Sequence, residues 1–399
     1  MTSPVLVRPP VATDAPLPVV LIYRNELLHP SETFVRSQAQ GMKNFQPVFV
    51  GRTRVPGLEL KQQSQTVDSG GLMGRLKRTL HKSWGFAPGM AASLRKLNPL
   101  LIHCHFGVDS VSALGLAREL RIPLVVTYHG YDATMRDEYA RRFSYDYRRY
   151  LHWKRVLQDE VDRFIAVSEF VREKLIAQSF PGTKTVVHYV GVDTSIFRPD
   201  HTVMREPIVL FAGRLAENKG CDYLIDAMSL VQQRIPHARL IVIGDGPERA
   251  SLERMATFRL KNYEFLGMQR QDVLRHWMAR ATVFSVPSVT VASGASEGFG
   301  LVFAEAQAMG TPVASFATGG IPEAVLDGVT GLLAPERDIQ DLAANISRLL
   351  CDASLWQQFS VAGLRRVRKV FDLQKQNNKL EEIYADVVNK HRSSLSRAS

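Results

Sequence analysis

Cysteine is nearly absent from this 399-residue chain, and its three copies, Cys104, Cys221 and Cys351, are odd in number and far apart. With no Cys-x-x-Cys pair, a disulfide framework and a structural zinc site are both excluded, and a reducing compartment is expected. Long apolar runs are missing too. No stretch approaches the ~20 residues that span a bilayer, and no basic segment followed by a continuous apolar run opens the chain, so a cytoplasmic protein is expected. Internal repeats are absent. A complete dinucleotide fingerprint is also lacking, because GDGPER (244–249) has no third glycine, which argues against an oxidoreductase of Rossmann type.

What is present is the composition of a globular enzyme, with 45% hydrophobic and 22% charged residues. The length predicts two domains. Short β-branched runs alternate with amphipathic segments, the pattern of βα units and parallel sheets. The runs at 18–23, 46–50, 100–105, 123–129, 163–168 and 185–191 read as strands of a first domain. Those at 208–213, 239–244, 263–267, 282–287 and 312–316 read as strands of a second, after a polar linker at 199–207. The fold class predicted is α/β, with two facing, Rossmann-like, doubly wound domains and a cleft between them. The first domain covers 1–205, its proline-rich residues 1–17 forming an extended, poorly ordered lead-in. The second covers 206–372, and a helix over 373–399 crosses back to the first domain.

In such sheets ligands sit beyond the carboxyl ends of the strands, so strand-end loops carry the candidate chemistry. In SEGFGLVFAEAQAMG (296–310), Glu297 precedes a turn of Gly298, Phe299 and Gly300 that opens a helix, and Glu305 lies about two turns inside it. The first N–H groups of that helix, on Leu301 and Val302, suit a diphosphate, and the flanking carboxylates suit sugar and ribose hydroxyls. In FAGRLAENKG (211–220), Arg214 follows Gly213 at a strand end and Lys219 comes five residues later, two cations suited to a leaving diphosphate. Gly244 ends the next strand. In VTYHGYDA (126–133), His129 and Asp132 lie on a loop of the first domain that faces the cleft. His103 and His105 flank Cys104 without the spacing of a metal site, which leaves structural or pocket roles.

The motifs GR and KG at 213–220, VIGDGPE at 242–248, EGFGLVFAE at 297–305, TGGIPE at 318–323 and GVDTSIF at 191–197 together resemble glycosyltransferase family 4, from about residue 18 onward. PSETFV (30–35) and PSVTVASGASEGFG (287–300) resemble its bacterial exopolysaccharide and colanic-acid-type members. The resemblance implies the GT-B architecture and a retaining, metal-independent hexosyltransferase with no permanently bound cofactor. It implies that Arg214 and Lys219 bind the donor diphosphate, Glu297 the donor hexose and Glu305 the nucleotide ribose, with His129 at the reacting face of the sugar. These four, His129, Arg214, Lys219 and Glu297, are the implied catalytic set. Gly213, Gly244 and the 298–302 backbone would complete the donor site. UDP-hexose is the first expectation for the donor and GDP-mannose the second. Retention in this family is explained by front-face attack, in which the leaving phosphate oxygen takes the acceptor proton. One departure is HPSET (29–33), which stands where many members carry a Gly-Gly pair. Ser31, Glu32 and Thr33 either contact the acceptor, together with His105 and Asp132, or cap the helix that follows.

Charge is lopsided. Of a net +11, residues 1–205 carry 28 Lys and Arg against 18 Asp and Glu. LMGRLKRTLHKSWGF (72–86) reads as an interfacial helix that ARRFSYDYRRYLHWKR (140–155) extends, and the alternative for either is an ordinary helix packed on the first sheet. The expected partner is an anionic membrane face bearing a lipid-linked or oligosaccharide acceptor, which makes the protein peripheral on the inner face of the cell membrane. Nucleic acid is not expected, because no reading motif accompanies the basic half. A nucleotide-sugar epimerase or a phosphorylase on the same fold is the competing enzyme.

Overall fold

A computed structural model describes residues 16–60, 62–68 and 89–398. The expected interfacial helix at 72–86 and all but the end of the 1–17 lead-in lie outside the described residues. The first sheet comprises β1 (Val19–Leu27), β2 (Gln46–Arg54), β3 (Ser64–Thr66), β4 (Pro99–His105), β5 (Leu124–Tyr128), β6 (Arg163–Ala166) and β7 (Thr185–Val187), in the order β3-β2-β1-β4-β5-β6-β7. The second comprises β8 (Glu206–Ala212), β9 (Arg239–Ile243), β10 (Tyr263–Gly267), β11 (Ala281–Phe284), β12 (Val313–Phe316) and β13 (Gly331–Ala334), in the order β10-β9-β8-β11-β12-β13.

Every pairing is parallel, with Leu21 opposite Val48 on one side and Ile102 on the other. Helices cover both faces of a parallel sheet, so its strands are continuous apolar runs, not alternating ones. Val20, Leu21 and Ile22 are accordingly all buried. Strand order reverses between β1 and β4 and again between β8 and β11. A crevice opens at each reversal, beyond the carboxyl ends of the strands.

Two elements escaped the sequence reading. β3 is a half-buried, polar edge of three residues, and β13 is four residues that begin at a glycine. Neither carries enough apolar pattern to register. β1 and β2 also run further than their apolar cores, to Leu27 and Arg54. The polar residues Arg24 and Asn25 stay in β1 because partners from the loop after β4 satisfy them. In the other direction, the run at 185–191 leaves the sheet after Val187.

The chain passes between the domains twice, side by side. Val192 N–H donates to Phe371 O at 2.7 Å, and Leu373 N–H donates to Val192 O at 2.9 Å. The helix Leu373–Ala398 then lies on the first sheet. Its Leu380, Tyr384, Val387 and Val388 join Val20, Ile22, Phe49, Leu101, Val125 and Ile165 in one buried cluster. Glu381 fixes the angle by accepting from the backbone N–H groups of Lys43 and Asn44, each at 2.8 Å. The last helix of the chain is therefore part of the first domain's core. Leu380→Ala should cost about 2–5 kcal/mol, measured as a lower urea midpoint for first-domain unfolding; an unchanged midpoint would mean the helix is not a core element.

Candidate active site

The carboxyl ends of the second sheet are tied to one another mainly through backbone. Gly213 N–H donates to Ile243 O at 3.0 Å, and Leu215 N–H to Asp245 O at 2.9 Å. Gly244, at φ +142°, lies so close that a Cβ there would stand 1.8 Å from Gly213 O. Only glycine fits that approach. The short helix Glu217–Lys219 docks on the loop after β11, with Val289 N–H donating to Asn218 O at 3.0 Å. Lys219 Nζ pairs with Glu297 Oε2, and both side chains are largely buried. Ser288 Oγ also reaches Glu297 Oε2, at 3.4 Å. Beneath the loop, Gly320 N–H donates to Glu297 O at 2.9 Å.

The helix Leu301–Ala308 starts at Gly300, in the left-handed region at φ +78°. The N–H groups of Leu301 and Val302 donate to no other group among the described residues, so two donors at the positive helix end are left for an anion. Arg214, exposed at the end of β8, makes no ion pair among the described residues. Phe299, in contrast, turns its ring between the domains, with centroids 5.4 Å from Tyr189 and 5.1 Å from Phe371. Only its backbone remains on the loop side. Glu305 is part-buried and has no polar partner among the described residues. Burial pushes its carboxyl up to about 7.

On the first domain, His129 follows β5. Its Nε2 is 3.0 Å from His105 Nδ1, and its ring rests against Phe34 and Phe106. His103 lies behind, its centroid 4.2 Å from that of His105, bonded through Nδ1 to Tyr384 Oη and through Nε2 to Thr127 Oγ1. Burial drives His103 down to about 3 and holds His105 and His129 well below the ordinary histidine range, so the three rings are neutral.

Asp132 is not a free polar contact. Its Oδ1 accepts from His129 and Gly130 N–H and its Oδ2 from Gly107 N–H, at 2.9–3.0 Å, so it shapes the histidine loop from below. Glu32 is likewise taken up. Its carboxylate pairs with Arg24 (Oε1 to Nη2, 2.5 Å), and Arg24 in turn pairs with Asp109 and stacks 4.2 Å over Phe106. Ser31 is exposed, and no side chain caps the helix that begins at Thr33, which removes the capping alternative for HPSET.

The two halves meet at Gly298. A Cβ there would stand 2.2 Å from His129 O, so the loop of Glu297 and Gly298, the proposed donor loop, touches the histidine loop backbone to backbone. Arg136 N–H donates to Ser293 O at 2.8 Å, and Ser296 N–H to Thr134 Oγ1 at 3.2 Å. Sequence reasoning missed Ser288, Arg24, Asp109 and Thr134, whose partners are distant in the chain. Among the described residues no group of three His, Cys, Asp or Glu side chains is placed to hold a metal ion.

Residues 32–196 match the family model described as Glycosyltransferase Family 4, and residues 206–352 the one described as Glycosyl transferases group 1. The chain belongs to glycosyltransferase family 4. It is 34% identical, over 52% of its length and 58% of the relative's, to a GDP-mannose-dependent alpha-(1-6)-phosphatidylinositol monomannoside mannosyltransferase of Mycolicibacterium smegmatis. It is 31% identical, over 61% and 60%, to the amylovoran biosynthesis glycosyltransferase AmsK of Erwinia amylovora. The matched part thus spans less than two thirds of these curated relatives. Among solved structures, a sucrose-phosphate synthase of Thermosynechococcus elongatus superposes with a TM-score of 0.75 at 23% identity, covering 94% of this chain and 100% of that one. Anabaena HepE, in complex with UDP and glucose, gives 0.73 at 20%, covering 92% and 99%. The family 4 fold here is GT-B.

In this family 4 chain the raised Glu305 carboxyl has a sign that can be checked. Below about pH 4.5 the group is neutral folded or unfolded and contributes nothing. Between 4.5 and 7 only the unfolded chain ionises, so native stability falls, and above 7 the full cost is present. Glu305→Gln should melt close to wild type at pH 5 and about 2–4 °C higher at pH 8, read by calorimetry. An equal shift at both pH values would show that ionisation of Glu305 is not its source.

Proposed function

We propose that the chain transfers a hexose from a nucleotide diphosphate sugar to an acceptor hydroxyl, with retention of configuration. The observation that carries this reading is the Lys219–Glu297 pair set on one loop network with the free helix N-terminus at Leu301 and Val302. A diphosphate competes with Glu297 for Lys219 and takes the two N–H groups, while Arg214 supplies a further cation. Glu297, so released, accepts from sugar hydroxyls, and Glu305 accepts from the ribose. In the reaction the bond from the anomeric carbon to the phosphate oxygen breaks and a bond to the acceptor oxygen forms on the same face. The acceptor proton passes to the departing phosphate oxygen.

This route is supported by the lack of a ready base among the described residues of the first domain, since burial makes His129 a poor proton acceptor and its Nε2 is engaged by His105. His129 then serves as a hydrogen-bonding wall beside the sugar. Rate arises from orientation and from neutralising the charge that develops on phosphate. The names of the curated relatives favour GDP-mannose, and the UDP bound in HepE favours UDP-hexose. A thermal-shift comparison of UDP and GDP separates them, because ligand at a hundred times its Kd stabilises by about 2.7 kcal/mol. Lys219→Ala and Glu297→Ala should each lower turnover by about 10²–10³ while leaving the circular dichroism spectrum intact; near-normal turnover in either contradicts the roles given.

The acceptor we propose is a lipid-linked oligosaccharide of cell-surface polysaccharide synthesis, met at an anionic membrane. Support comes from an outward patch beside the histidine loop. The helix Tyr145–Glu160 packs inward through Tyr147, Tyr150 and Leu157. With the helix Asp137–Phe143 before it, it exposes Arg141, Arg142, Arg148, Tyr139, Tyr145 and Phe143, the last at 67%. Tyr131 continues this patch to Phe106, at 5.9 Å, and so to His129. Each cation near such a surface is worth about 1 kcal/mol, so replacing Arg141 and Arg142 with Ala together should weaken flotation with phosphatidylglycerol vesicles about tenfold or more. Equal binding of wild type to neutral vesicles would rule this surface out as an electrostatic dock.

A further inference from the structure

The helix Glu169–Ala177 of the first domain begins at the domain seam, where its first N–H groups have no backbone partner of their own helix. A carboxylate of the other domain takes them. Glu323 Oε2 accepts from Glu169 N–H at 2.8 Å, and Oε1 accepts from Phe170 N–H at 2.9 Å. Tyr189 Oη donates to Oε2 as well, at 3.1 Å. Beside it the buried Ser168 hydroxyl accepts from Val171 N–H at 3.0 Å and donates to Gly298 O at 2.6 Å. An anion at a helix N-terminus, held by charge-assisted bonds, is a strong clasp for its size.

Glu323 is itself built into the donor loop. It ends the TGGIPE segment, whose Gly320 N–H donates to Glu297 O at 2.9 Å, and its own carbonyl accepts from Arg366 Nη2 at 2.6 Å. Rigid links therefore run from Glu297 through Gly320 to Glu323, and from Glu323 across the seam to the first domain. The neighbouring contact, Gly298 on His129 O, is the one that sets donor loop against histidine loop. The contact itself is backbone packed on backbone, and the Ser168 hydroxyl bond to Gly298 O is the polar link that Gly298 makes across the seam.

We infer that Glu323 is a positioning residue, an interdomain latch whose carboxylate clasps the first turn of the helix Glu169–Ala177 and Tyr189 and so fixes His129 against the donor loop. Its effect on transfer rests on the function proposed above, whereas its effect on the seam does not. The latch carboxylate does not face the Lys219–Glu297 pair, because its two oxygens are taken up by Glu169 N–H, Phe170 N–H and Tyr189 Oη of the first domain.

Two measurements on the full chain decide it. In hydrogen exchange, Glu323→Ala should speed exchange in the 168–172 segment while the core strands stay protected. In kinetics, it should leave UDP or GDP affinity within about twofold and lower turnover at saturating donor about tenfold or more, as loss of charged hydrogen bonds predicts. Tyr189→Phe, which removes one of the three bonds, should give a smaller loss in the same direction and carries the test if Glu323→Ala fails to fold. Wild-type exchange at 168–172 in either folded variant overturns the latch. Faster exchange with unchanged turnover overturns its positioning role. If the wild-type protein binds no nucleotide and transfers no sugar, the proposed function has failed and the exchange result alone judges the latch.

Discussion

The geometry of the whole site depends on one close approach, Gly298 against the carbonyl of His129. No side chain fits between them. Because the donor loop can come no nearer and has no cushion, the distance between the two domains at this point is set by backbone van der Waals contact. Everything reactive is placed relative to that contact. Glu297, one residue away, looks back to Lys219 on the second domain, and the His129 ring stands on the first. Under the proposed function, small changes in how the domains meet would be felt at the sugar's reacting carbon, where misplacement by an ångström is costly. Polar links on both sides of Glu297 in the chain hold this approach, through residues 293–296 on one side and 320–323 on the other.

Electrostatics divides the labour between the domains. The second domain carries the charge, in the Lys219–Glu297 pair, in Arg214, which makes no ion pair among the described residues, and in the positive helix end at Leu301. The first domain presents neutral groups, a row of three neighbouring histidines that burial keeps unprotonated. Beneath them Arg24, Asp109 and Glu32 are sealed in, where removing one partner would strand a buried charge. Glu305 shows the cost of such readiness. A carboxylate kept part-buried with no polar partner among the described residues destabilises the protein, and under the proposed role this is an exchange of stability for activity.

Much of this was legible beforehand. Parallel sheets announce themselves as apolar runs at βα spacing, and the loops that end them carry Arg214, Lys219, Glu297 and Glu305 in local motifs whose spacing is set by a single turn or helix. What stayed hidden depends on contacts across the fold. Asp132 and Glu32 look like exposed polar residues in sequence, yet one is consumed by three backbone N–H groups and the other by an arginine in β1. Glu323 stands in a recognisable motif, but its partners lie 134–154 positions away. Phe299 belongs to the donor loop by sequence and to the interdomain core by side chain. Local pattern locates a loop well and says little about which way its residues turn.

The central claim is that a nucleoside diphosphate is held by the strand ends of the second sheet, and a crystal structure with UDP or GDP bound tests it most directly. The account predicts phosphate oxygens at about 3 Å from Lys219 Nζ and from the Leu301 and Val302 N–H groups, with the ribose hydroxyls on Glu305. A nucleotide bound to the first domain, or bound elsewhere with Lys219 and Glu305 untouched, would contradict it.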